Sequence, residues 1–152
     1  MPASLTVSIL SFDFLSATQL YELLRLRSEV FVVEQECIYQ DIDNKDQKAT
    51  HVLGYVENEL VAYTRVFGPG DYFKEASIGR VLVKSEHRIF GYGKKIVQAC
   101  MDWLMKTYEK PIRISAQTYL TKFYSDLGFL SEGETYLEDG IPHINMVYSP
   151  VK

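Results

Sequence analysis

The stretch from Val81 to Ile96 constrains this chain more than any other. Val81-Leu82-Val83 reads as the end of a strand. A loop with two glycines, Gly91 and Gly93, follows it. From Gly93 onward Ile96, Val97, Cys100, Trp103 and Leu104 keep a helical period. Glycine lets the backbone take positive φ and approach a ligand closely. The first amides of a helix lack partners within it, and the helix dipole favours an anion there. Strand, glycine loop and helix start together make a phosphate cradle. Lys84, Arg88, Lys94 and Lys95 surround it against one acid, Glu86, in a chain of net charge -4. Lys94 and Lys95 oppose the dipole in the first helical turn by roughly 0.3–1 kcal/mol each, and a bound anion removes that conflict. A plain strand-to-helix turn with solvated lysines fits the same residues. Neither G-x-G-x-x-G nor G-x-x-x-x-G-K-[ST] is present.

The chain has 152 residues, which suits one domain over 1–152. Hydrophobic residues are 47% and charged residues 24%, so a disordered chain is excluded. A mildly acidic balance gives no field toward nucleic acid or anionic lipid. The two cysteines, Cys37 and Cys100, make no disulfide framework and point to a reducing compartment. Charged residues interrupt every apolar stretch, so no transmembrane helix is expected. Met1 to Leu10 lacks a basic leader and Pro2 follows Met1, so neither a signal peptide nor a lipidation motif is read. The expected location is cytoplasmic.

Leu5 to Leu10 alternates as a strand. Ser16-Ala17-Thr18-Gln19 is a capping box, with Leu15 and Leu20 as a hydrophobic staple. The helix it opens is expected to reach about Glu34, with Leu20, Leu23, Leu24, Arg27, Phe31 and Glu34 on one stripe. Asp41 to Thr50 is a polar loop. His51 to Val56 and Leu60 to Phe67 are strands around Glu57-Asn58-Glu59. Gly68-Pro69-Gly70 ends the second, and Ser77 to Lys84 is a third. Gly93 to Tyr108 is helical and Pro111 stops it. Ile112 to Ala116 is a strand, and Tyr119 to Leu127 a helix closed by Gly128. Phe129 to Tyr136 and His143 to Tyr148 are strands around Glu138-Asp139-Gly140. The order β-α-β-β-β-α-β-α-β-β implies an α/β fold with a mixed sheet.

Arg88-Ile89-Phe90-Gly91-Tyr92-Gly93 resembles the R/Q-x-x-G-x-G/A motif of the GNAT acyltransferases, and Phe123-Tyr124-Ser125-Asp126-Leu127-Gly128-Phe129 resembles their F-Y-x-x-x-G-F segment. Leu26 to Gln35, Tyr39 to Asp43, Ile78-Gly79-Arg80-Val81 and Glu138 to His143 are similar to the ElaA group of that superfamily. The resemblance covers nearly the whole chain. It implies the GNAT fold, a mixed, mostly antiparallel central sheet flanked by helices. It implies an acetyl-CoA-dependent N-acetyltransferase with no metal, and it admits a homodimer, since exposed strand ends in this fold often pair two chains.

Residue by residue, the resemblance puts the CoA diphosphate on the loop Arg88, Ile89, Phe90, Gly91, Tyr92, Gly93 and Lys94. It lays the pantetheine along Val81, Leu82 and Val83, held by backbone atoms as an added strand would be. Tyr124 is the expected acid for the departing thiolate; the alternative is packing beside Phe123 and Leu127. Glu34, His51 and His143 are the candidate bases, with an internal ion pair or a structural histidine as the alternatives, and an ordered water as another base. Arg27 shares the helical stripe of Glu34. Arg65 and Arg80 lie in central strands. With Arg27 they are candidates to bind a substrate carboxylate or phosphate; for Arg65 and Arg80, salt bridges to Asp41 or Asp43 that pin the polar loop are equally open, and for Arg27 an internal ion pair is the alternative.

Two other activities suit parts of the sequence. One is an acyl-CoA-binding module with little transfer. The other is an acyl-homoserine-lactone-synthase-like acyltransferase, suggested by the order Arg27, Val30-Phe31, Asp41-x-Asp43, Arg65. Against that stand the short chain, the acetyl-CoA-type loop and the lack of a Trp soon after Phe31; the sole Trp is Trp103.

Overall fold

The computed structural model describes residues 3–150. The Met1-Pro2 start and the outermost positions of the 1–152 domain lie outside the described residues. The elements follow the order expected from the sequence: β1 (Thr6–Ser11), α1 (Ala17–Arg27), β2 (Thr50–Val56), β3 (Glu59–Phe67), β4 (Ala76–Val83), α2 (Tyr92–Tyr108), β5 (Ile112–Gln117), α3 (Thr121–Asp126), β6 (Leu130–Glu138) and β7 (Ile141–Tyr148).

The capping box opens α1. Ser16 Oγ accepts the Gln19 amide at 3.0 Å, and Gln19 Oε1 accepts the Ser16 amide at 2.9 Å. The helical run reaches Glu34 in two forms. After Arg27 it widens into a π-helix over Ser28–Glu34, with bonds from the Gln35 amide to the Val30 carbonyl and from the Cys37 amide to the Val32 carbonyl. Periodicity of side chains does not separate the two forms, because both keep Val30 and Phe31 on the buried face. Such widenings are frequent at functional sites. At the hairpins, Glu57-Asn58 and Asp139-Gly140 take positive φ at both turn positions, as two-residue turns matched to strand twist require.

The strands form one sheet in the order β1-β2-β3-β4-β5-β7-β6. Every neighbouring pair is antiparallel except β4 and β5. Side-chain alternation puts successive residues on opposite faces. Val52 therefore joins the cluster under α2, with Ile96, Val97, Cys100 and Leu104, while Leu53 joins Leu23, Leu26 and Tyr63 under α1. Two apolar layers thus bury both faces of the middle strands. Among the described residues no helix is long and apolar enough to cross a membrane.

Candidate active site

β4 and β5 pair only at Ala76 with Ile112 and at Ser77 with Arg113. Beyond Ser77 they part, because β5 continues its pairing with β7 up to Gln117 while β4 stays on β3. The gap between them is a cleft of about 130 Å³.

β4 is also bulged. Arg65 faces Gly79 and Tyr63 faces Leu82, so Arg80 and Val81 together stand opposite Thr64. The Thr64 hydroxyl donates to the Gly79 carbonyl at 2.9 Å. Arg80 takes φ +51, a left-handed conformation that costs a non-glycine residue about 1–2 kcal/mol. Gly79, Arg80 and Val81 all line the cleft, so the bulge turns backbone groups of β4 into it. Sequence reasoning missed this feature. Gly79 inside a strand pattern was the available signal.

The loop after β4 is a 3-10 helix over Ser85–Phe90, ended by Gly91 at φ +77. Gly91 caps α2, and the Lys95 amide is bonded to its carbonyl at 3.3 Å. The amides of residues 92–94 thus have no acceptor inside the helix. A Cβ on Gly93 would meet Val83 at 3.5 Å and Phe123 at 3.7 Å, which is ordinary contact. Arg88 bridges the mouth of this region. Its Nε donates to the Val83 carbonyl at 2.8 Å, and its two terminal nitrogens hold Glu34, one of them at 2.8 Å. Glu34 is therefore paired at the rim. The Val83 carbonyl already has a donor, while Val81 lines the open gap.

Tyr124 enters the cleft from α3 and is 6% exposed. Its ring meets Phe123 edge-on at 5.0 Å and Phe129 at 5.8 Å. Burial, with smaller contributions from Tyr119 and Cys100, pushes its phenol well above the ordinary tyrosine range, so the hydroxyl keeps its proton. His143 lines the same cleft from β7. Its Nδ1 lies 2.7 Å from the Ile141 carbonyl, which can only accept, so Nδ1 carries a hydrogen and Nε2 is the nitrogen turned into the cleft. Nε2 lies 3.4 Å from Glu138 Oε2. Glu138 also takes the Ser115 hydroxyl at 3.2 Å, and Ser115 is bonded to the Tyr136 hydroxyl. Glu138, Ser115 and Tyr136 stand out only once β5, β6 and β7 are in register.

The polar loop supplies acids to three arginines. Arg27, fully buried, holds Asp41 at 2.9 Å and Asp46 at 2.7 Å. Arg65 holds Asp43 at 2.8 Å and Asp46 at 3.0 Å, and Arg80 holds Asp41 at 2.7 Å. Burial opposes ionisation of Asp43, but the bonds and charge of Arg65, with the charge of Arg80, outweigh it and hold the carboxyl at about 2. Asp46 is lowered in the same way by Arg27 and Arg65 against its burial. His51 is fully buried, with Nδ1 2.6 Å from the Tyr63 hydroxyl and Nε2 2.8 Å from the Asp46 carbonyl. Burial lowers its pKa.

Of the candidate residues, the cleft gathers Arg65, Arg80, Val81, Tyr124 and His143. Leu82 points into the α1 cluster. Arg27 and His51 sit beneath the polar loop, and neither lines the cleft. Arg65 and Arg80 make the loop-pinning salt bridges that their sequence positions left open, and Arg27 pairs with acids of the same loop while Glu34 pairs with Arg88. Among the described residues no group of three or more His, Cys, Asp or Glu side chains is placed to hold a metal ion.

Comparison with known proteins agrees with this architecture. Residues 16–150 match the acetyltransferase (GNAT) domain family. Protein ElaA of Escherichia coli (strain K12) is 45% identical over 139 residues, covering 87% of this chain and 88% of that protein. Its crystal structure superposes with a TM-score of 0.90 at 39% identity, over 96% of this chain and all of that one. UPF0039 protein sll0451 of Synechocystis sp. is 42% identical over 139 residues, or 90% of each chain. The crystal structure of an acyl-CoA N-acyltransferase from Pseudomonas aeruginosa gives a TM-score of 0.89 at 35% identity, over 95% of this chain and 99% of that one. With a family match over most of its length, and sequence and structural relatives that agree, the chain belongs to the GNAT acetyltransferase family, in its ElaA-like group.

Proposed function

We propose that this chain moves an acetyl group from acetyl-CoA to a primary amine by direct attack on the thioester. The observation that carries the reading is the parting of β4 from β5 after Ser77, next to a glycine-capped helix start and a buried tyrosine. In this reading the diphosphate rests on the amides of the Arg88–Lys94 loop. The pantetheine amides pair with β4 backbone near Val81, where no neighbouring strand competes.

The chemistry assigns two proton carriers. The amine nitrogen bonds to the thioester carbonyl carbon, the carbon–sulfur bond breaks, and the sulfur leaves as thiolate. Tyr124 gives its hydroxyl proton to that sulfur, since its burial keeps the phenol protonated. The proton lost by the amine goes to His143 Nε2, whose neighbour Glu138 offsets the imidazolium charge. The thiol has a pKa of roughly 8.5, so its release needs only modest acid help.

Calorimetry with acetyl-CoA, paired with a thiol-release assay over a broad amine panel, tests the reading. Binding that is lost in Gly93→Asp, together with thiol release in the presence of an amine, supports it. A Cβ at Gly93 meets only ordinary contacts, so Gly93→Asp brings a negative charge into the phosphate cradle without a clash at that atom, and a thermal melt checks that the variant is folded. Unchanged affinity in that variant overturns the loop assignment. Binding without turnover over the whole panel reduces the chain to an acyl-CoA-binding module.

A further inference from the structure

The cleft continues past the β4 bulge, away from the glycine loop, and there its walls are aromatic. Phe31 and Tyr39 come from the segment after α1, and Phe67, Tyr72 and Phe73 from the end of β3 and the turn after it. Phe67 and Tyr72 stack at 5.1 Å, and Tyr72 meets Phe73 edge-on at 4.8 Å. Such rings offer apolar area, and the rings of Tyr39, Phe67 and Tyr72 already hold Arg80, Arg65 and Lys45 at 5.7, 5.0 and 5.9 Å.

The charges of this chamber are unequal. Arg65 and Arg80 line it, but Asp41, Asp43 and Asp46 already match them. Arg65 Nε is buried without a partner, which leaves a single hydrogen-bond donor on a guanidinium whose charge is matched. Glu138 is different. Among the described residues it has no Arg or Lys partner, only the Ser115 hydroxyl and His143 Nε2. Asp139 beside it also lines the cleft. Of the charged side chains that line the cleft, those left without an Arg or Lys partner are therefore negative.

We propose that the acceptor is a primary amine on an aromatic or apolar body, with no carboxylate beside the nitrogen, drawn in as its ammonium by Glu138. The assignment rests on the transferase reading above and adds the class of acceptor to it. The body packs on the aromatic walls, and the nitrogen lies between Glu138 and His143; it gives its first proton to solvent water, and His143 Nε2 takes the second as the nitrogen bonds to the thioester carbon. A carboxylate on the same carbon would face Glu138, while the two guanidiniums that line the cleft are already matched by the loop acids, so the amino acid is rejected by repulsion as well as by desolvation.

Matched pairs provide the test: phenethylamine against phenylalanine and tyramine against tyrosine, followed by thiol release at saturating acetyl-CoA. Acetyl-CoA binding is measured separately by calorimetry. The expected result is a kcat/KM at least tenfold higher for each amine than for its amino acid. Glu138→Gln is expected to raise the amine KM about tenfold and leave acetyl-CoA affinity unchanged. Equal use of both members of a pair, preference for the amino acid, an unmoved KM in Glu138→Gln, or no turnover of all four compounds by a protein that binds acetyl-CoA overturns the acceptor assignment alone. Failure to bind acetyl-CoA overturns the transferase reading, and this assignment with it.

Discussion

Arg80 stands at φ +51 in the β4 bulge while its Nε donates to Asp41 Oδ1 at 2.7 Å. The strained residue and the polar loop are thus tied at the edge of the cleft. Asp41 serves a second arginine as well, since Arg27 Nε reaches its other oxygen at 2.9 Å. One carboxylate therefore anchors α1, β4 and the loop together.

Removing that charge leaves Arg27 buried with one acid fewer. Breaking a buried ion pair from one side costs about 3–5 kcal/mol, because the remaining charge stays desolvated. Asp41→Asn is expected to lower the melting temperature by on the order of 10 °C, given about 2–4 °C per kcal/mol for a chain of this size. Thermal melts of wild type and variant check it. A shift below about 2 °C means that the loop acids do not hold the fold.

Glu34 and Arg88 make a different kind of pair. Their side chains are 38% and 41% exposed, so the bond contributes on the order of 0.2–1 kcal/mol. In the proposed binding mode the carboxylate would compete with the diphosphate for the same guanidinium. Glu34→Gln is expected to tighten acetyl-CoA binding by up to about fivefold at low salt, with the gain shrinking as salt rises. Calorimetry at two ionic strengths measures this. Weaker binding in the variant means that Glu34 orients Arg88 for the ligand instead of competing for it.

Local signals carried most of the fold in the sequence. The capping box at Ser16, the apolar period of α2, the turn at Asp139-Gly140 and the loop around Gly91 are each written within a few neighbouring residues. The cleft is less legible, because it is made by register. Arg80 and Val81 face Thr64 only after β3 and β4 have paired, and no short pattern specifies that bulge beyond the lone Gly79. Likewise Arg27, Arg65 and Arg80 are charged residues in apolar patterns, which signals partners without naming them. The choice between a substrate anion and Asp41, Asp43 and Asp46 is made by the path of the loop between α1 and β2. His51 read as a candidate base for a related reason: a histidine opening a strand looks accessible until Tyr63 and the Asp46 carbonyl close over both its nitrogens.

Tyr124→Phe separates chemistry from packing. The ring contacts with Phe123 and Phe129 survive the change, and only the hydroxyl is lost. If that hydroxyl protonates the thiolate, kcat falls by about 10²-fold, at the lower end for general acids because the thiol is a fair leaving group. Acetyl-CoA affinity is expected to stay within about twofold, as no binding role is assigned to the oxygen. Stopped-flow thiol release and calorimetry supply the two readings. A wild-type rate in Tyr124→Phe makes Tyr124 a packing residue.

Acid stability follows from the buried network under the loop. His51 is held neutral by burial, with its pKa lowered from the ordinary histidine value near 6.5. Below about pH 6.5 the unfolded chain takes up a proton that the folded one refuses, so stability declines from there as pH falls. The second stage belongs to Asp43, held at about 2 in the folded chain against roughly 3.9 when unfolded. Its contribution is full above about pH 4 and is lost as pH falls from there through about 2. Solvent screening limits it to ~1 kcal/mol. Asp46 acts in the same sense. Urea titrations at pH 8.5, 7.5, 5, 4 and 3 are expected to show a plateau above about pH 7 and then this two-stage decline, and His51→Gln is expected to flatten the upper stage alone. Stability that holds level from pH 7.5 to 5 means that His51 gains its proton as readily in the folded chain as in the unfolded one.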